Sequence, residues 1–235
     1  MNSHDFYLKH KDAIPKFPQL DIIDDVELTI QLFSKNVPYI EIDLDFDVSI
    51  WKQESIVAES YLVPHREEQN HNGWRSCCIH GLGVEKTGIW NKYADKDEGY
   101  HWTELSGLTP TIKKFWLDFP FERLYRVRFM ELAPNGFIDP HNDSPNFVPD
   151  NLLDHIIPVN IAIDHPDNCY FVLENHGIVP FHSGKINIIN ITNTHTVVNF
   201  SNRPRMHMIG HGYVGNRMKE FSELIARSYR KQHGK

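Results

Sequence analysis

Between Arg123 and Gly212 the chain reads LYRVRFMEL (124–132), FIDPH (137–141), HIIPVNIAI (155–163), CYFVL (169–173), GIVPF (177–181), KINIINI (185–191), HTVVNF (195–200) and RMHMIGHG (205–212). Each run is apolar or alternating, and Pro, Gly, Asn and Asp punctuate the gaps, which is the chemistry of turns. Eight β-runs at this spacing point to a sandwich or barrel, and eight is the strand count of a jelly roll.

Outward from this core, Tyr39 to Leu44 (YIEIDL) alternates as a half-buried strand does, and Trp74 to Leu82 (WRSCCIHGL) is a second strand behind the turn residues 67–73. Asp24 to Lys35 sets Val26, Leu28, Ile30, Leu32 and Phe33 on a helical stripe behind an acidic start, a surface helix. Thr109 to Phe119 reads as a short helix with Thr109 as N-cap, Pro110 in the first turn and Pro120 as the stop. From Asn216 to Arg230, Met218, Phe221, Leu224, Ile225 and Tyr229 fall at helical spacing, as in a packed C-terminal helix. The expected architecture is mainly β with flanking helices, a double-stranded β-helix of the jelly-roll, cupin-like kind. One domain is expected over 1–235, with 1–122 as a buttress of helices and strands, 123–212 as the jelly-roll core and 213–235 as the C-terminal helix.

Composition narrows the function. Lys and Arg number 24 against 31 Asp and Glu in 235 residues, a formal charge of −7, so the long-range field repels nucleic acid and anionic membrane. Cys77, Cys78 and Cys169 form an odd set with two adjacent members, which argues against a disulfide framework and for a reducing, cytoplasmic setting. Met1 to Asp12 is polar, and no run approaches about 18 apolar residues, so neither secretion nor spanning is signalled. The 15 histidines point toward chemistry, because imidazole is the commonest metal ligand.

The tripeptide His141-Asn142-Asp143 follows Pro140 at the end of a β-run. In extended backbone the period of two sends His141 and Asp143 to one face. His195, heading a later run, can supply a third ligand from across the core, and two His plus one carboxylate on one face of a metal leave positions open, as in non-haem Fe(II) oxygenases. Ten residues on, Arg205 opens the last run. An inward guanidinium matches a carboxylate with two parallel hydrogen bonds and anchors the far end of a diacid. In a flat hairpin His195 and Arg205 would lie about 16 Å apart along the strands, too far for a short diacid. A crossing between sheets about 10 Å apart brings both into one cavity, so this chemistry requires a sandwich.

These features, H-x-D, a distal His and an Arg ten residues later on eight short strands, resemble the 2-oxoglutarate-dependent oxygenases. RFMELAPNGFIDPHND, DHIIPVNIAI and NTHTVVNFSNRPRMHMIGH are similar, over roughly 123–212, to the aspartyl/asparaginyl β-hydroxylase family, and the first 120 residues carry no placeable motif. The resemblance implies Fe(II) on His141, Asp143 and His195, the distal carboxylate of 2-oxoglutarate on Arg205, and His155 lining the co-substrate pocket. It implies O2-dependent hydroxylation of an amino acid or amino-acid side chain, with release of succinate and CO2. Leu153 stands where the family often has an Arg, which leaves His155, His207 or Arg128 as the second anchoring group. The alternatives are a non-catalytic metal-binding jelly-roll module for binding or sensing, and a zinc hydrolase using the same ligands; neither needs an inward Arg205.

Other residues carry plainer readings. Trp74 and Arg75 are candidates for a substrate wall, although an edge strand with a packed Trp and a solvated Arg accounts for them more simply. Cys77 and Cys78 read as buried thiols, His176 and His182 as loop residues, and His207 and His211 as inward-facing by alternation from Arg205, with His207 the better fit to a co-substrate pocket. Gly81-x-Gly83 lacks the remainder of a dinucleotide fingerprint. The sequence is silent on oligomeric state.

Overall fold

The computed structural model describes residues 1–21, 24–66, 69, 71–88, 99–143 and 156–234. Among these, eleven strands form one antiparallel sheet that folds over itself. They are β1 (Tyr39–Glu41), β2 (Val63–Pro64), β3 (Asn72–Gly81), β4 (His101–Trp102), β5 (Arg123–His141), β6 (Ile156–Asp164), β7 (Cys169–Leu173), β8 (Gly177–Val179), β9 (Ile186–Ile189), β10 (His195–Asn199) and β11 (Arg205–Tyr213). The larger half runs β1-β9-β6-β11-β5, with β3 on the other side of β5 carrying β2 and β4; the smaller runs β5-β10-β7-β8. This is the expected jelly-roll class.

The two runs expected at 124–132 and 137–141 are a single 19-residue strand shared by both halves. Its first part pairs with β11, from Arg123↔Tyr213 to Leu132↔Arg205, and its end pairs with β10 at His141↔His195. The change of partner falls at Pro134-Asn135-Gly136. Asn135 takes the left-handed conformation, and a Cβ on Gly136 would lie 2.8 Å from the carbonyl oxygens of both Ala133 and Asn72. The crossing demanded of 201–204 is present: β10 and β11 pair with different parts of β5 rather than with each other. Asn199 secures it, its buried Nδ2 donating to the carbonyls of Leu132, Ala133 and Arg203 at 3.2, 3.0 and 2.8 Å.

Strand period decides what faces what. Val127 and Phe129 on β5, Ile157, Val159, Ile161 and Ile163 on β6, and Met206 and Met208 on β11 join one apolar cluster under the helices. Their neighbours Arg128 and Met130, Pro158 and Asn160, and Arg205, Ile209 and His211 line a cavity on the opposite face. Helices α1 (Ser3–His10), α2 (Asp25–Ser34), α3 (Val48–Ala58), α4 (Leu105–Leu108), α5 (Pro110–Asp118) and α6 (Met218–Gln232) surround the sheet. Asp24 caps α2 by accepting from the Glu27 amide at 2.8 Å, and Arg230 of α6 reaches Asp25 at 2.7 Å. Trp116 of α5 lies flat on β11, where a Cβ on Gly210 would come within 2.1 Å of its ring.

One expectation about the helices changes. Thr109 does not cap α5: its hydroxyl donates to the Leu105 carbonyl at 3.2 Å, while the Glu54 carboxylate of α3 accepts from the amides of Thr111 and Ile112 at 2.8 and 2.9 Å. Negative charge at a helix start is favoured whichever part of the chain supplies it. Helices α1, α3 and α4 were not signalled by strong periodicity, and α3 buries Trp51, Glu54, Ser55 and Ala58 within a largely mixed pattern. Strands β1 to β4, all before residue 123, belong to this same sheet. No helix among the described residues is long and apolar enough to cross a membrane.

Candidate active site

His141 ends β5 and His195 begins β10, and the pairing of these two residues brings their rings to 4.4 Å. Asp143 lies two residues past His141, its amide donating to the Ile191 carbonyl at 3.1 Å. One ligand atom from each of the three lies within 4.8 Å of the others. Nε2 of His141 is 3.6 Å from one Asp143 oxygen and Nε2 of His195 is 4.0 Å from the other. Carbonyls fix both tautomers: Nδ1–H of His141 donates to Asp139 at 2.7 Å, and Nδ1–H of His195 to Asn193 at 3.0 Å. With Nδ1 donating, each ring in its metal-ligating form turns the lone pair of Nε2 toward the carboxylate, so three acceptors face one another and suit a cation between them.

Electrostatics agree. Burial, with the neighbouring His141, lowers the pKa of His195 to about 4, so it is neutral at physiological pH. Burial pushes Asp143 up, but His195, His141 and Arg66 outweigh it and bring its pKa below the ordinary value. Although the Asp143 side chain is 32% exposed at the cavity mouth, its oxygens turn toward the two imidazoles. Arg66 Nη1 donates to Oδ1 at 3.3 Å.

Arg205 lines the same cavity from β11 and is 3% exposed. Burial lowers its pKa to about 10, which leaves it charged at neutral pH. A guanidinium only donates, so the 2.7 Å contact of its Nη2 with Nδ1 of His207 makes that nitrogen an acceptor. Nε2–H of His207 then donates to Nδ1 of His165 at 2.7 Å, and Nε2–H of His165 to the Cys169 carbonyl at 2.8 Å. Every hydrogen in this relay is assigned by the two groups at its ends. Burial, then Arg205, lowers the pKa of His165 to about 4, and the same causes put His207 well below its ordinary value. Arg205 Nε is buried with no acceptor among the described residues.

The sequence matches the family Aspartyl/Asparaginyl beta-hydroxylase over residues 45–211. The chain belongs to this family. The match begins well before residue 123, so residues 45–122, within the segment in which no family motif was placed, are part of the family pattern. None of the curated proteins matches the chain in sequence. Among solved structures, a Pseudomonas putida prolyl-4-hydroxylase is 12% identical, over 78% of this chain and 96% of its own, with a TM-score of 0.44. HygX from Streptomyces hygroscopicus, solved with nickel and 2-oxoglutarate bound, is 11% identical over 79% and 86%, with a TM-score of 0.48. A Trichoplax adhaerens prolyl hydroxylase in complex with a hypoxia inducible factor peptide fragment is 9% identical over 82% and 90%, with a TM-score of 0.49.

As an aspartyl/asparaginyl β-hydroxylase family member the protein is an Fe(II)- and 2-oxoglutarate-dependent dioxygenase. Its residues fit both groups: three converging acceptors suit a divalent cation, and the orphaned N–H of Arg205 suits a carboxylate.

The remaining expected residues divide. Trp74 lines the cavity, packed edge-on against His65 with centroids 4.3 Å apart. Arg75 does not: adjacent strand residues face oppositely, and it pairs outside with Glu131 at 2.7 Å. His207 sits fully buried behind Arg205, off the cavity wall, whereas His211 and Arg128 are on it. His155 lies outside the described residues. Sequence reasoning missed His65, Arg66 and Asn160, all on the wall.

Proposed function

We propose that His141, Asp143 and His195 hold Fe(II), that Arg205 takes the distal carboxylate of 2-oxoglutarate, and that the substrate is an amino acid or an amino-acid side chain. The observation that carries the reading is that a buried guanidinium with a free N–H shares a cavity with three converging acceptor groups. Bound together, iron and 2-oxoglutarate activate O2 to hydroxylate an unactivated C–H, with release of succinate and CO2. The chain supplies the orientation. Asp139 and Asn193 keep both imidazoles in the ligating tautomer, His207 and His165 aim Arg205, and Phe171, Ile138, Val197 and Ile209 give the cavity an apolar wall that excludes water. We read 1–235 as one domain, in which 1–122 supplies strands β1 to β4 of the sheet besides its helices. A cytoplasmic location fits the three free, buried cysteines.

Anaerobic addition of Fe(II) and 2-oxoglutarate is expected to produce a visible charge-transfer band that is lost in His141→Ala and Asp143→Ala. A band of undiminished strength in both variants would overturn the ligand assignment.

A further inference from the structure

Arg128 is the second guanidinium on the cavity wall that burial leaves without an anion. It is 5% exposed, and Nη1 donates to the Thr87 carbonyl at 2.8 Å and contacts Nε2 of His65 at 3.4 Å. Since Arg128 only donates, His65 Nε2 is the acceptor and Nδ1–H turns to the hydroxyls of Ser76 and Thr87, each at 2.9 Å. Arg126 donates to the same Thr87 carbonyl at 3.2 Å, so two buried positive charges converge on one neutral oxygen. No carboxylate among the described residues lies within ion-pairing distance of Arg128. Two buried N–H groups on this part of the wall, Arg128 Nε and Trp74 Nε1, have no acceptor among the described residues, and both flank the His65 ring.

Buried donors without acceptors, beside concentrated positive charge, make a seat for an anion. We infer that Arg128, with the indole N–H of Trp74 beside it, seats a carboxylate of the primary substrate, which makes that substrate a carboxylic acid. This rests on the proposed iron and 2-oxoglutarate site. Of the co-substrate's two carboxylates the distal one goes to Arg205 and the other to the metal through one oxygen, so the 2-oxoglutarate midpoint decides whether its second oxygen also draws on Arg128. Register also separates the two arginines. Arg205 pairs with Leu132 and Arg128 with Ile209, four residues or about 13 Å along the strands, whereas the carboxyl carbons of a five-carbon diacid are only about 5 Å apart. Arg66 is already committed to Asp143, which leaves Arg128 for the substrate.

The test uses the full chain loaded anaerobically with Fe(II) and 2-oxoglutarate. It is titrated with the proteinogenic amino acids and with two- to six-carbon carboxylic acids, each paired with its primary amide, while the charge-transfer band is followed. One or more acids are expected to shift the band at millimolar concentration, and their amides are not. Arg128→Gln should weaken that response roughly 100-fold, and Arg128→Lys, which keeps the charge but not the fork, should fall between. In both variants the 2-oxoglutarate midpoint should stay within about twofold of wild type. A tenfold rise in that midpoint in Arg128→Gln would reassign Arg128 to the co-substrate and overturn the inference. So would a panel in which no acid shifts the band, or in which amides shift it as acids do. Should Arg128→Gln fail to fold, the acid-against-amide comparison on the wild-type protein decides. Absence of any band in wild-type protein overturns the proposed function and this inference together, a failure distinct from those above.

Discussion

Acid should weaken the fold through His165, and the amount follows from the relay behind Arg205. His165 accepts at Nδ1 from His207 and donates at Nε2 to the Cys169 carbonyl, so a proton added at Nδ1 sets donor against donor. Burial, and then the charge of Arg205, brings its pKa to about 4, against 6.5 for an ordinary imidazole. Because the folded value is depressed, the unfolded chain binds more protons between the two values. The stabilisation is therefore complete above the unfolded pKa, declines as pH falls, and levels off below the folded one. Between about pH 7.5 and about pH 5 linkage makes the loss about 2 kcal/mol for this residue alone. His165→Gln keeps an amide in the position but removes the titration. Urea unfolding of the metal-free wild type and variant at the two pH values reads the effect of His165 together with its relay partner His207, since the histidines outside the relay contribute equally to both. The wild type should lose about 2 kcal/mol more than His165→Gln on acidification. Losses equal within about 0.5 kcal/mol would refute the relay as drawn.

Two further outcomes are expected. Arg205→Lys keeps a positive charge but cannot hold both His207 and a carboxylate in one plane, so KM for 2-oxoglutarate should rise about 10- to 100-fold, with kcat less affected, in steady-state succinate release. Asn199→Ala removes the donor shared by three carbonyls at the crossing from β10 to β11 and should lower stability by about 1–3 kcal/mol, read from the urea midpoint.

The legible parts of this fold and site are those governed by strand period. His141 faces inward because alternate strand residues share a face, whereas Asp143 lies past the end of β5 and is held by its amide bond to the Ile191 carbonyl at 3.1 Å; the crossing that brings Arg205 opposite His195 is what a short diacid reaching both requires. The same period applied to β3 separates Trp74 from Arg75, a distinction available in the sequence but not drawn from it. Alternation from Arg205 places His207 on the inner face, but not its depth. That is set by His165 and Phe181, which pack against it with centroids 5.0 and 4.8 Å away. His65 and Arg66 carry no periodic signal, since they leave the short strand β2 for a loop, and only the pairing of β3 with β5 brings that loop to the cavity. Glu54 caps α5 across 57 residues of chain, whereas a sequence signature for capping looks three residues away.

The supports chosen for the cavity arginines bear on function. On the outer face Arg75 is held by Glu131, and the pair is close to neutral. Inside, Arg205 is held by the His207 imidazole and Arg128 by a carbonyl and the His65 imidazole. Neutral acceptors fix a guanidinium in place and leave its charge uncompensated. Burial lowers the pKa of each to about 10, so both remain cationic at physiological pH. A carboxylate in place of either imidazole would stabilise the empty protein better, because a buried charge without a counter-ion is costly. It would also occupy the donors an incoming anion needs. The fold thus forgoes stability at two buried positions, where the anionic ligands proposed above would supply the missing counter-charge.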